Sequence, residues 1–234
     1  RKHVAGFPGR ALVEVLRMAK ATIRDVDYLA VGNDSNANFA AKAAHVLRSP
    51  VKSARGVVTH LQRRAKMQGF KALVAEACGV RETDCRFQVV RVEHHLAHLA
   101  SSYFASDFDQ AAGFSYDGAG DFASAMFARC QGNRIEILDR VHIPHSLGFF
   151  YTALCQFIGF DKFGEEYKVM GLAAYGQPVY LDLMRELLRT EEGPSSVVSG
   201  QWSGSGQFRL NPRFFRTPGK NLEECVDEHG EIVL

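Results

Sequence analysis

Apolar positions along the chain follow first a helical and then an alternating rhythm. Leu12, Val15, Leu16 and Ala19 recur at helical spacing opposite Arg10, Glu14 and Arg17, which predicts a helix over 9–20. Asp27–Val31 is a short apolar run and predicts a buried strand. Asn33–Asn36 then reads as a turn, or as the cap of a helix reaching about Val46. A second helix over 57–77 carries Arg63, Arg64, Lys66 and Lys71, with Gly69 weakening its middle. Arg86–Val92 alternates and is β-rich, so it predicts a strand, and His94–Phe104 predicts a helix. Ala111–Tyr116, Phe122–Arg129 and Arg134–Ile143 predict a three-stranded meander turning at Asp117–Asp121 and Gln131–Asn133. Ser146–Ile158 predicts a helix capped by Ser146, and Tyr180–Arg189 another. Residues 191–206 are rich in Gly and Ser and read as a loop; the signals after Phe208 are weak. This order predicts an α/β chain with a mixed sheet and flanking helices.

Composition narrows the classes. The 234 residues are 46% hydrophobic and 23% charged, which fits a folded domain and excludes a low-complexity chain. No 18-residue apolar run exists, so no membrane-spanning helix is expected, and no apolar stretch follows Arg1–Gly6 to make a signal peptide. The net charge of +2 hides segregation. From Lys42 to Arg91 there are eleven basic and three acidic residues; from Val92 to Ala128 there are five acidic residues and no Lys or Arg. A basic block can meet phosphates and an acidic one can hold a metal. Few aromatics interleave with the basic helix, so a solvated face is expected there and nucleic acid is not expected as a partner. Cys78, Cys85, Cys130, Cys155 and Cys225 show no CxxC spacing, which predicts reduced thiols in a cytoplasmic protein.

Three segments carry candidate chemistry. In Glu93-His94-His95-Leu96-Ala97-His98 a helix puts His94 and His98 one turn apart on one face, a spacing that gives two imidazoles to one metal. His95 is an alternative partner for His98, and histidines bonded to backbone at a helix start are the alternative to a metal. Leu96 and Ala97 fill the pair, so the metalloprotease HExxH is absent. Asp117, at the end of a predicted strand, is the candidate third ligand. Two imidazoles and a carboxylate suit iron, zinc or manganese. Gly118 and Gly120 let backbone N–H groups approach a phosphate. Lys168, ahead of an apolar run with Gly171 and Gly176, is a second candidate for phosphate contact, against the plainer reading of a loop and a packed helical turn. The chain has no GxxxxGK[ST] loop, no GxGxxG after a strand and no GxSxG serine.

Four stretches together resemble the O-carbamoyltransferase family that includes nodulation-factor and aminoglycoside carbamoyltransferases. They are Arg1–His3 with Ala5–Pro8, His94–Phe104, Phe114–Asp121, and Ser146–Tyr151 followed by Gly164–Gly176. The resemblance covers about residues 1–178. It implies an actin/sugar-kinase-like ATPase fold, incomplete at both ends, with residues 1–190 in the metal- and nucleotide-binding N-terminal domain and 191–234 continuing it. It implies a metal at His94, His98 and Asp117, phosphate or nucleotide at Gly118, Gly120, Lys168 and Gly171, and an acceptor site near Lys2. The implied reaction moves a carbamoyl group from carbamoyl-adenylate, made from carbamoyl phosphate and ATP, to a hydroxyl of a small-molecule acceptor. The family's opening strand, its HDS-containing turn, its fourth metal ligand and its carbamoyl-adenylate-forming C-terminal domain have no counterpart in the chain. An interior piece of a longer cytoplasmic enzyme is therefore expected. A relative of tRNA threonylcarbamoyl transferase is a second expectation, weakened by Leu96-Ala97 where that group carries HxEGH. A non-catalytic metal-binding fragment is a third.

Overall fold

The computed structural model describes residues 6–48, 69–160, 162, 164–190 and 208–210. Lys2, the basic segment with Arg63, Arg64 and Lys66, Cys225 and the loop over 191–206 lie outside the described residues. The chain divides into two compact units, one of residues 1–35 and 57–92, the other of 36–56 and 93–234.

The first unit contains α1 (Gly9–Met18), β1 (Tyr28–Val31), part of the second predicted helix as α3 (Phe70–Cys78), and β2 (Gln88–Arg91). Helix α1 presents Leu12 and Leu16 to a core of Ile23, Val74, Ala75, Cys85 and Phe87, while Val15 on the expected apolar face is exposed. Gly69 stands at the N-cap of α3, and residues 57–68 of that predicted helix lie outside the described residues. Strands β1 and β2 pair in parallel. The expectation of a buried β1 is corrected: its burial alternates and Tyr28 faces solvent. A two-stranded pair covered on one face leaves every second residue outside.

The second unit contains α2 (Phe39–Arg48), α4 (His94–Tyr103), β3 (Gln110–Gly120), β4 (Ala123–Gln131), β5 (Arg134–His142), α5 (Leu147–Phe157), α6 (Glu166–Ala173), α7 (Leu181–Leu187) and a short antiparallel pair, β6 (Leu188–Thr190) with β7 (Phe208–Leu210). Strands β3, β4 and β5 form the predicted antiparallel meander. Parallel and antiparallel pairings lie in separate small sheets among the described residues, not in one mixed sheet. Helix α4 packs on the meander through Leu99 and Tyr103, against Met126, Ala128 and Cys130. Burying such a set contributes on the order of 2 kcal/mol per large side chain. The thiols of Cys78, Cys85, Cys130 and Cys155 are free.

The tight turn expected over Asp117–Asp121 is corrected. Strand β3 continues through Gly120 with an irregularity after Tyr116, and only Asp121 and Phe122 turn the chain. Both have positive φ, +51° and +73°, as a two-residue hairpin turn of the primed type requires. Asp117 therefore projects from a strand, not from a loop.

Candidate metal centre

Helix α4 and strand β3 bring His94, His98 and Asp117 together. The Nε2 of His94 lies 2.9 Å from Asp117 Oδ2 and 3.0 Å from the Nε2 of His98, which is 3.5 Å from the same carboxylate oxygen. The two imidazoles cross at 87° with centroids 4.5 Å apart. With one proton or none on each Nε2, the three atoms cannot all pair as donor with acceptor, so at least one edge sets lone pair against lone pair or N–H against N–H. A cation resolves that conflict. Ligands about 2.1 Å from a metal stand about 3.0 Å apart at a right angle and about 3.4 Å apart at the tetrahedral angle. Two of the observed edges match the first spacing and the third matches the second. The donor set thus fits a divalent iron, zinc or manganese ion.

Burial draws the Asp117 carboxyl upward, but hydrogen bonds from His94 and the Gly118 N–H, with the charges of both rings, hold it below its ordinary value. The carboxylate is therefore available as a ligand. Its other oxygen, Oδ1, accepts the Gly118 N–H at 2.6 Å. Helix α5 fixes the backbone beneath. The buried Ser146 hydroxyl donates to the Gly118 carbonyl at 2.7 Å and accepts the Phe149 N–H, so the predicted N-cap also anchors β3. Gly148 completes the contact, since a Cβ there would lie 2.5 Å from the Gly118 nitrogen.

His95 takes no part. It is fully buried, with Nε2 3.1 Å from the Ala123 carbonyl and Nδ1 2.9 Å from the Ser115 hydroxyl. The carbonyl only accepts, so Nε2 carries the proton and Nδ1 accepts from Ser115. The alternative pairing of His95 with His98 is thereby excluded. Burial pushes the His95 imidazole below its ordinary value, the Ala123 carbonyl opposing. Burial and then Arg140 push half-buried His142 the same way. Below about pH 6.5 the unfolded chain binds protons that these two folded rings refuse, so stability falls as pH drops through that region and levels off above it. The depressed carboxyls of Asp117 and Glu93 act in the same direction, but only below about pH 4. The urea midpoint of metal-free protein is accordingly expected to be lower at pH 5.5 than at 7.5; an equal or higher midpoint at pH 5.5 would show that the rings titrate freely.

Of the remaining sequence candidates, Gly118 and Gly120 adjoin this centre. Gly120 packs against His94: a Cβ there would enter the ring and lie 2.6 Å from the His94 Cβ. Gly118 faces the Phe149 ring. Lys168 and Gly171 are on α6, where the Lys168 ammonium meets the Glu165 carboxylate at 2.5 Å. Glu165 accordingly raises the lysine's pKa. Helix α6 is tied to α5 by the Thr152 hydroxyl, which donates to Glu166. A cleft of about 400 Å³ opens beside the triad, lined by residues that include His98, Ser102, Phe114, Tyr116 and Asp117.

Sequence reasoning missed the contacts of Glu93. Its side chain is only 10% exposed and receives a two-pronged ion pair from Arg140 on β5. Neither spacing nor composition announces a pair 47 residues apart; the one available signal was a lone Glu at a helix start amid histidines. Burial raises the Glu93 carboxyl, but Arg140 and Asn38 outweigh it and hold it low.

The uncharacterized protein sll1178 of Synechocystis is 30% identical over 219 residues, covering 92% of this chain and 34% of the relative. Nodulation protein NolNO of Sinorhizobium fredii is 31% identical over 178 residues, 76% of this chain and 24% of the relative. Nodulation protein NolO of Bradyrhizobium diazoefficiens is 42% identical over 96 residues, 41% of this chain and 17% of the relative. The chain thus spans between about a sixth and about a third of the length of these curated relatives. The sequence pattern described as carbamoyltransferase N-terminus matches residues 1–223, nearly the whole of the chain, and the chain belongs to that carbamoyltransferase family.

Proposed function

We propose that the protein containing this chain transfers a carbamoyl group from carbamoyl-adenylate to a hydroxyl of a small-molecule acceptor, with a divalent metal held by His94, His98 and Asp117. The observation that carries this reading is the convergence of those three ligand atoms within 4.8 Å in a member of the carbamoyltransferase family. The fold this implies is of the actin/sugar-kinase type. Carbamoyl-adenylate would be made from carbamoyl phosphate and ATP on a C-terminal domain of the same cytoplasmic polypeptide.

The chemistry is an acyl transfer. The acceptor oxygen bonds to the carbamoyl carbon, the bond from that carbon to the phosphate oxygen breaks, AMP leaves, and the hydroxyl proton passes to a base. When bound, the metal supplies Lewis acidity that stabilises charge developing on the carbamoyl or phosphate oxygens. His94 and His98 would hold it through Nε2 and Asp117 through its carboxylate. Ser146 and Gly148 hold the Asp117 segment so that this carboxylate does not wander. The cleft beside the triad orients the reacting groups and limits their freedom. Lys168 and Gly171 are the proposed phosphate contacts on α6. A phosphate there exchanges places with Glu165 at the ammonium. Gly118 and Gly120 are the proposed backbone approach to phosphate, and both also pack closely, against Phe149 and His94. Lys2 is the proposed acceptor contact.

The test uses full-length protein, ATP and radiolabelled carbamoyl phosphate with a pool of hydroxylated acceptors. Label is expected to move to an acceptor with stoichiometric AMP release. Chelation is expected to slow transfer and a divalent metal to restore it. Equal rates in chelated and metal-loaded protein would contradict the proposal.

A further inference from the structure

The geometry points to Asp121, together with the Asn38–Glu93–Arg140 cluster, as a positioning device for the His94–His98–Asp117 centre: it sets how α4 sits on the meander and so how far the imidazoles stand from Asp117. This rests on the reading of that triad as a metal centre.

Helix α4 receives no cap from the side chain of its own N-cap residue, Glu93. Its first N–H, that of His94, instead donates to Asp121 Oδ2 at 2.8 Å, across 27 residues of chain. Asp121 is delivered there by the hairpin turn, where two successive non-glycine residues hold positive φ. Such a conformation is disfavoured and persists only where surrounding contacts fix it. Gly120, next along, leaves room for the His94 ring. The aspartate that caps α4 is therefore four residues from the aspartate that faces its histidines.

The second hold is on Glu93. Arg140 Nε and Nη2 donate to its two oxygens at 3.0 and 2.9 Å. A single amide, Asn38 Nδ2, donates both to Glu93 Oε1 at 2.9 Å and to the Asp121 carbonyl at 3.0 Å. The start of α4 is thus gripped by β5 through a side chain and by the β3–β4 turn through a backbone N–H, and Asn38 joins the two grips. A fork of this kind fixes direction as well as distance. It also engages both Glu93 oxygens, which keeps a neighbouring carboxylate out of the ligand set.

The experiment measures Co²⁺ binding to full-length protein by its visible absorption spectrum, alongside thermal unfolding of the metal-free forms. Asp121→Gly removes the carboxylate while tolerating positive φ. It is expected to weaken Co²⁺ binding about tenfold or more, the usual size for groups behind metal ligands, and to alter the spectrum, with the metal-free protein still folded. Asp121→Asn keeps an acceptor oxygen and also tolerates that φ, so it is expected to restore affinity and spectrum to near wild type. Arg140→Lys loses the fork and is expected to weaken binding by less than Asp121→Gly does. Wild-type affinity and spectrum in Asp121→Gly would overturn the positioning role. So would equal losses in the Gly and Asn variants. Failure of wild-type protein to bind Co²⁺ at all would instead overturn the metal centre itself, and is recognised before any variant is made.

Discussion

Asp117→Ala in the full-length protein is expected to remove bound metal and to lower carbamoyl transfer by more than about 100-fold, while metal-free stability stays close to wild type. The size follows from position. Groups behind metal ligands are worth roughly 10–100-fold, and a ligand contributes more than its support. The small stability effect follows from exposure, since the Asp117 side chain remains 43% accessible and fills no core space. Metal content, transfer rate and unfolding midpoint measured on one preparation separate these effects. Retained metal with lost transfer would make Asp117 a substrate contact instead.

Gly120→Ala is expected to cost about 3 kcal/mol of stability, the upper end for overpacking, and to destroy the centre with it. The added methyl would collide with the Cβ and ring of His94, not with the movable end of a long side chain. Helix α4 would have to shift, yet Asp121 and Arg140 hold its first turn and Leu99 and Tyr103 its inner face. Urea unfolding of the metal-free variant reads the loss directly. An unchanged midpoint would mean that α4 slides freely on the meander. Gly148→Ala, which forces backbone against backbone at Gly118, is expected to destabilise in the same way without touching a histidine.

Much of the centre was legible in the sequence because its rule is local. Two histidines four apart in a helical stretch face one way, and the structure places them so. The third position, Asp117, was marked by its place after an apolar strand. What escaped notice has physical reasons. The glycines of Asp117–Asp121 mimic a turn, yet they serve close packing, and the turn itself uses Phe122, a residue with no turn signal. His95 looked interchangeable with His94, because an adjacent helical residue is separated by only about 100° and Ser115, its core partner, gives no sign of its role. The parallel pairing of β1 with β2 and the Glu93–Arg140 clamp depend on residues brought together by the fold, and no spacing rule reaches them. Among the described residues no helix is long and apolar enough to cross a membrane, as the absence of a long apolar run predicts.

The most direct measurement is elemental analysis of the purified full-length protein, wild type beside His98→Ala. His98 is half-exposed and is in none of the buried core clusters, so its loss is expected to leave the chain folded. Close to one equivalent of divalent metal per wild-type chain, lost in the variant, is the predicted result. No metal in either protein, or the same metal in both, would contradict the assignment of His94, His98 and Asp117 as its ligands.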